Sequence, residues 1–137
     1  MTNIANHALA INIDLHLEMN TFYNFSGSPK AYIDDDKFSV YLFDGTPVAW
    51  LSDEKLYAYS GKFLGWFLNN WIYDKNGNPA FFTENAIGGP SKPMKGMKPM
   101  KEMKSMRPMR GMKEMASMKP MRSAIWSNLS NVEFFDQ

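Results

Sequence analysis

The chain has 137 residues, of which 45% are hydrophobic and 15% aromatic, which is enough for one modest domain with an appendage. It contains no cysteine, which excludes disulfides, thiolate metal sites and cysteine nucleophiles. The net charge of +1 conceals an uneven distribution, because residues 91–122 carry ten Lys and Arg against two Glu, a net of +8, and the remainder carries a net of −7. The sequence therefore indicates an acidic body followed by a basic tail.

No apolar run approaches the roughly 18 residues of a membrane-spanning helix. The first residues also lack the basic and apolar regions of a secretory signal peptide. These two features favour a cytoplasmic protein, with peripheral attachment to a membrane as a further expectation.

Residues 9–18 alternate apolar and polar side chains, which is typical of a half-buried strand. His16 lies on the polar side, and a single histidine without partners does not make a metal site. We interpret residues 1–18 as an N-terminal extension or an added strand. The body is assigned to residues 19–88.

One pattern recurs four times within residues 22–85. Aromatic and apolar residues precede a glycine turn, and a small residue followed by an aromatic one comes after it. The turn glycines are Gly27, Gly45, Gly61 and Gly77, at spacings of 18, 16 and 16 residues. Because glycine accepts the positive φ of a tight turn and the flanks favour strands, each copy predicts a β-hairpin. Polar segments such as 34–36 join one hairpin to the next.

Two sets of aromatic residues follow the repeat. One precedes the turns, with the pairs Tyr23 and Phe25, Tyr41 and Phe43, Tyr57 and Tyr59, and Trp71 and Tyr73. The other follows the turns and is assigned to Tyr32, Trp50, Trp66 and Phe81. We expect one set to fill a shared core and the other to lie nearer the surface. A ligand cage for an apolar or cationic molecule is the alternative use of eight of these residues: Tyr41, Phe43, Trp50, Tyr57, Tyr59, Trp66, Trp71 and Tyr73.

Residues Tyr23 to Phe82 resemble the four-fold beta-flower proteins through units of the form Asp/Ser-Gly-x-Pro-x-Ala-aromatic. Ala49-Trp50 and Gly65-Trp66 are the closest matches, whereas Phe63 replaces the proline in the third unit. The resemblance implies an all-β fold, a shallow pseudo-four-fold barrel of radiating hairpins with a low-complexity C-terminal tail. It implies no activity, cofactor or catalytic residue.

The tail, residues 89–123, has a strict period of three. Methionine recurs at every third residue from Met94 to Met121, and Lys or Arg follows it in nine of ten triplets. Prolines at 99, 108 and 120 oppose a continuous helix. A polyproline II conformation would give a Met edge, a basic edge and a small edge, spanning roughly 87 Å when extended.

Four interpretations of the tail remain open from the sequence. It is a flexible solvated tail, a ligand for an anionic surface, a segment docked on the acidic body of its own or another chain, or a soft-metal site. For an anionic surface, membrane is placed ahead of nucleic acid, because the tract has no aromatic residue for base stacking. The residues assigned to that partner are Lys95, Lys98, Lys101, Lys104, Arg107, Arg110, Lys113, Lys119 and Arg122.

Residues 124–137 regain apolar character, and we expect a short turn that pins the tail to the body. The acidic residues lie in turns, and no phosphate loop, nucleophile motif or calcium loop is present. The sequence therefore predicts a non-catalytic binding or structural module without cofactor or metal, whose barrel carries a basic Met/Pro-rich tail to an anionic partner. A barrel that binds a small ligand in its aromatic centre is the alternative.

Overall fold

A computed structural model describes residues 20–137 as an all-β fold, which confirms the predicted class. Eight antiparallel strands close into a barrel in chain order, with β1 pairing with β8. The predicted strand at 9–18 and the extension 1–18 lie outside the described residues. The strands are β1 Thr21–Tyr23, β2 Pro29–Ile33, β3 Ser39–Leu42, β4 Pro47–Ser52, β5 Lys55–Tyr57, β6 Phe63–Leu68, β7 Trp71–Tyr73 and β8 Pro79–Phe82.

The four predicted hairpins are present and have the same turn. In each, the turn glycine donates its N–H to the carbonyl three residues earlier, as Gly45 does to Leu42 at 3.0 Å. The φ angles of the four glycines lie between +81° and +93°. A side chain is disfavoured at such angles, which explains glycine at this position in every copy.

The structure corrects the assignment of the fourth copy. Counted from the turn glycine, each copy has tyrosine four residues before it and an aromatic residue five residues after it, and in the fourth copy that residue is Phe82, not Phe81. In this copy the small residue, Ala80, lies three residues after the glycine instead of four, so the aromatic residue that directly follows it is one position early. Phe82 pairs with Tyr23 across the closure of the barrel, and their ring centroids are 5.5 Å apart.

The expectation that the two aromatic sets separate into core and surface is wrong. They pair across neighbouring hairpins on one face, as Tyr32 does with Tyr41 and Trp50 with Tyr57, at centroid distances of 6.0 Å and 5.1 Å. The opposite face of the strands forms a separate core inside the barrel. That core is mostly small or aliphatic on the strands, and its buried members are Phe22, Ala31, Ile33, Val40, Ala49, Leu56, Leu64, Ile72, Ala80, Phe81, Phe134 and Phe135.

The C-terminal segment is pinned to the body, as predicted. A 3₁₀ helix at Val132–Asp136 buries Phe134 and Phe135 in the barrel core, where both rings contact Phe81. Phe81 occupies the place that alanine or glycine holds in the other copies, so this side of the barrel is built to receive the helix. The Ser127 hydroxyl donates to the Asp74 carboxylate at 2.6 Å and holds the approach to the helix in place.

Candidate functional site

The tract of residues 91–123 has no helix or strand of its own, yet its backbone is bonded to every hairpin. The N–H groups of residues 96, 105, 114 and 123 donate to the carbonyls of the four turn glycines, in order, at 2.7 to 2.9 Å. The donors are nine residues apart, so three methionine triplets span one hairpin. Glu102 and Gly111 make a second pair of bonds, to Phe43 and Tyr59, with the same nine-residue separation. The tract therefore passes the hairpins in register.

The turn glycines also provide the space that the tract needs. A Cβ atom added to Gly27, Gly45, Gly61 or Gly77 would overlap the carbonyl oxygen of Met94, Met103, Met112 or Met121, respectively. Gly111 is constrained in the same way by the Ser60 carbonyl. Each turn glycine thus serves two purposes, since it adopts the positive φ of the turn and lets the tract backbone approach.

The basic edge of the tract lies over the paired aromatic rings. Lys101 Nζ is 4.3 Å from the Tyr32 ring centroid, and the Arg110 guanidinium carbon is 4.3 Å from that of Trp50. Lys113 and Lys119 lie 5.2 and 5.3 Å from the centroids of Trp50 and Trp66. These distances are within the range of cation–π contacts. The chain's own cations thus occupy the aromatic faces that a cationic ligand would need.

Four of the nine predicted anion-binding residues form ion pairs with the body, as the docked interpretation expected from the opposite charges. Lys98 pairs with Glu84, Lys104 with Asp34, Arg107 with Asp36 and Lys119 with Glu54, at 2.8 to 3.1 Å. Their side chains remain 34–48% exposed, so each pair contributes only about 0–1 kcal/mol. Among residues 20–137, the other five have no carboxylate within ion-pair distance: Lys95, Lys101, Arg110, Lys113 and Arg122.

The methionine edge faces solvent. All ten methionines from Met94 to Met121 are 89–94% exposed, although the backbone that carries them is held against the barrel. In the docked tract, Lys and Arg lie over the aromatic rings and methionine does not. The three edges predicted from the period of three are present: cations face the rings, third-position N–H groups bond the hairpins and thioethers point outward.

The nine-residue register is the feature that sequence analysis missed. Its only trace is in the third position of the triplets, where Pro99 and Pro108 are nine residues apart. The structure gives the reason, since neither position is required to donate a hydrogen bond to a hairpin. The tract advances nine residues from one hairpin to the next, whereas the body advances 16 to 18. The two repeats come into register only when the barrel has closed.

A model of the family described as 4-fold beta flower protein matches residues 20–135, most of the chain. The chain belongs to this family. The match confirms the resemblance seen in the sequence, and it extends through the tract and most of the C-terminal segment. In this 4-fold beta flower protein, barrel, tract and helix therefore belong to one family unit. No curated protein and no solved structure matched the chain.

Three cavities of about 340 Å³ open on the surface of this beta flower protein, one beside Gly88 and Gly89, one beside Glu54 and Lys119, and one beside Phe25 and Trp126. The barrel centre is filled by the phenylalanines of the core and the C-terminal helix. Within residues 20–137, no His, Asp and Glu side chains gather into a group that could hold a metal. No helix in the same range is long and apolar enough to cross a bilayer.

Tyrosine ionisation is expected to destabilise the barrel at high pH. Burial, together with the neighbouring Glu84 carboxylate, raises the pKa of Tyr23 to about 12. Above a pH of about 10 an unfolded tyrosine loses its proton while folded Tyr23 keeps it, so the free energy of unfolding falls as pH rises from about 10 to 12. Urea unfolding across this range measures the slope. The Tyr23→Phe variant should show a shallower slope, and an identical slope would contradict the assignment.

Proposed function

We propose that this protein is a non-catalytic module that binds an anionic membrane surface through the exposed methionine edge and the cations beside it. The observation that carries the proposal is the exposure of ten methionines on a backbone held in place by the barrel. Ten large apolar side chains that a fold holds in water at regular positions along one edge are typical of an interaction surface.

The chemistry of the edge favours lipid over a folded protein partner. The methionines are spaced singly along the tract, with two other residues between each one and the next. Methionine is unbranched and flexible, so each side chain can enter the acyl boundary independently. A bilayer interface requires this type of contact and no shape complementarity.

The cations supply the preference for an anionic bilayer. A basic residue follows nine of the ten methionines, so positive charge lies beside nearly every apolar side chain along the tract. The five residues without a carboxylate partner carry most of this effect, at about 1 kcal/mol for each cation near an anionic surface. Ion pairing reduces the contribution of Lys98, Lys104, Arg107 and Lys119.

Nucleic acid and a small ligand have less support. Single-stranded nucleic acids bind through stacking on exposed aromatic rings, whereas rings such as Tyr32 and Trp50 are buried beneath the cations. A ligand in the aromatic centre would need to displace either the core phenylalanines or the docked tract. A cytoplasmic location, proposed from the sequence, would place the edge at the inner leaflet, which is the more anionic one.

Flotation with lipid vesicles tests the proposal. The full chain should float with phosphatidylcholine vesicles containing phosphatidylglycerol and less with phosphatidylcholine alone. Replacing the ten tract methionines by glutamine should lower the partition coefficient at least about tenfold, since about 1.4 kcal/mol of lost apolar transfer energy suffices.

Two control variants make the result specific. Methionine-to-leucine replacement at the same ten positions should preserve binding, because it keeps the apolar side chains. Replacing Lys95 and Arg122 by glutamine should weaken the preference for phosphatidylglycerol while keeping Lys101 over the Tyr32 ring. Equal flotation of the glutamine variant and the natural chain would contradict the proposal, as would tight DNA or RNA binding without vesicle binding.

A further inference from the structure

We propose that the ten tract methionines form a reversible oxidation site, which hydroperoxides convert to methionine sulfoxide while the barrel stays folded. The inference extends the proposed function, because oxidation would make the membrane-facing edge polar. The oxidation site itself does not depend on membrane binding.

Accessibility is the first argument. Oxidation of a thioether requires the oxidant to reach the sulfur, and these side chains are 89–94% exposed. The chain has no cysteine that would react in their place. The tryptophans Trp50, Trp66 and Trp71, which are also oxidisable, are at most 5% exposed. Within the described residues, the sulfur atoms that an oxidant can reach are therefore those of the tract methionines.

The chemistry balances without any group from the protein. The sulfur attacks the terminal oxygen of a hydroperoxide, the O–O bond breaks and an S=O bond forms. The sulfur loses two electrons, and the peroxide is reduced to an alcohol or to water with no net change in protons. Methionine sulfoxide reductases reverse the change with electrons from thiols, which makes it suitable for regulation.

The fold is arranged to tolerate this change. Methionine oxidation commonly disrupts proteins because the sulfoxide is polar and the side chain was packed in a core or an interface. Here the tract is held by backbone hydrogen bonds at residues such as 96 and 105, by cations over rings and by ion pairs. None of these contacts uses a thioether. Ten oxygens can therefore be added without removing an interaction that holds the tract.

The expected consequence of oxidation is weaker binding to the membrane. A sulfoxide is strongly polar, so each oxidised side chain loses the apolar transfer energy that favours the acyl boundary. With up to ten such changes on one edge, the oxidised chain should leave a bilayer that the reduced chain binds. The cations remain, so a weaker, salt-sensitive attraction to anionic headgroups should persist.

Peptide mapping by mass spectrometry after treatment with hydrogen peroxide tests the site. We expect one added oxygen on each tract methionine, at rates within about threefold of a methionine in an unstructured peptide, with an unchanged thermal unfolding midpoint. Peptide mapping separates these sites from Met1 and Met19. Protection of several tract methionines by more than about tenfold, or unfolding on oxidation, would overturn the inference.

Vesicle flotation of oxidised protein tests the expected weakening of membrane binding. Oxidation should reduce binding of the natural chain about as much as the glutamine replacement does, and reductase treatment should restore it. The leucine variant should bind before and after oxidant. If the reduced chain and the leucine variant both fail to bind while oxidation proceeds without unfolding, the proposed function fails and the oxidation site stands. If the oxidised natural chain binds as well as the reduced one, that expectation is overturned.

Discussion

Replacing Phe134 by alanine is expected to lower the free energy of unfolding by about 3–5 kcal/mol. The ring is fully buried in the barrel core and meets Phe81 nearly at a right angle, with 5.5 Å between centroids. Its removal leaves a cavity among the core side chains that surround it. Since a domain of this size has a total stability of about 5–15 kcal/mol, this one change removes a large share of it.

Val132→Ala is the matched control, because Val132 belongs to the same 3₁₀ helix and is 43% exposed. The Val132→Ala change should lower the free energy of unfolding by no more than about 0.5 kcal/mol. Chemical denaturation of the two variants gives both numbers. Equal costs would mean that the C-terminal helix does not close the barrel core.

Replacing Gly45 by alanine is expected to destabilise the turn and to release the tract locally. At a φ of +92°, an L-residue costs about 1–2 kcal/mol. The new Cβ would also overlap the Met103 carbonyl oxygen, so the tract must move away from the hairpin. The Ser105 N–H then loses its 2.9 Å bond to the Gly45 carbonyl. We expect trypsin to cleave after Lys104 several times faster than in the natural chain.

Gly88→Ala separates the two effects. Gly88 has a φ of +72°, and a Cβ there would have no atom within 4 Å. The variant should therefore show only the cost of the positive φ in unfolding free energy, about 1–2 kcal/mol, without faster cleavage after Lys104. Equal cleavage rates in the two variants would contradict close approach of the tract to Gly45.

The hairpins could be predicted from sequence because their determinants are local. A glycine at fixed distance from a tyrosine sets both the turn and the strand register, and counting from the glycine would also have placed Phe82 correctly. The error arose because Phe81, not Phe82, directly follows the small residue Ala80 in the fourth copy. The pairing of both aromatic sets on the outer face depends on neighbouring hairpins, which the pattern within one hairpin does not show.

The docked tract could be predicted only in part. Opposite charges of body and tail made docking one of four open interpretations, and the period of three predicted its edges. Which edge faces the barrel depends on cation–π contacts with rings such as Tyr32 and Trp50, which pair only once the barrel closes. Methionine is usually buried, so its outward position runs against ordinary composition rules.

Amide hydrogen exchange across residues 91–123 most directly measures whether the tract is held in register on the hairpins and so presents its methionines outward. The structure predicts slow exchange at residues 96, 102, 105, 111, 114 and 123, each a donor to a hairpin carbonyl, and faster exchange at the amides between them. Uniformly fast exchange throughout the tract, as in an unstructured peptide, would contradict it.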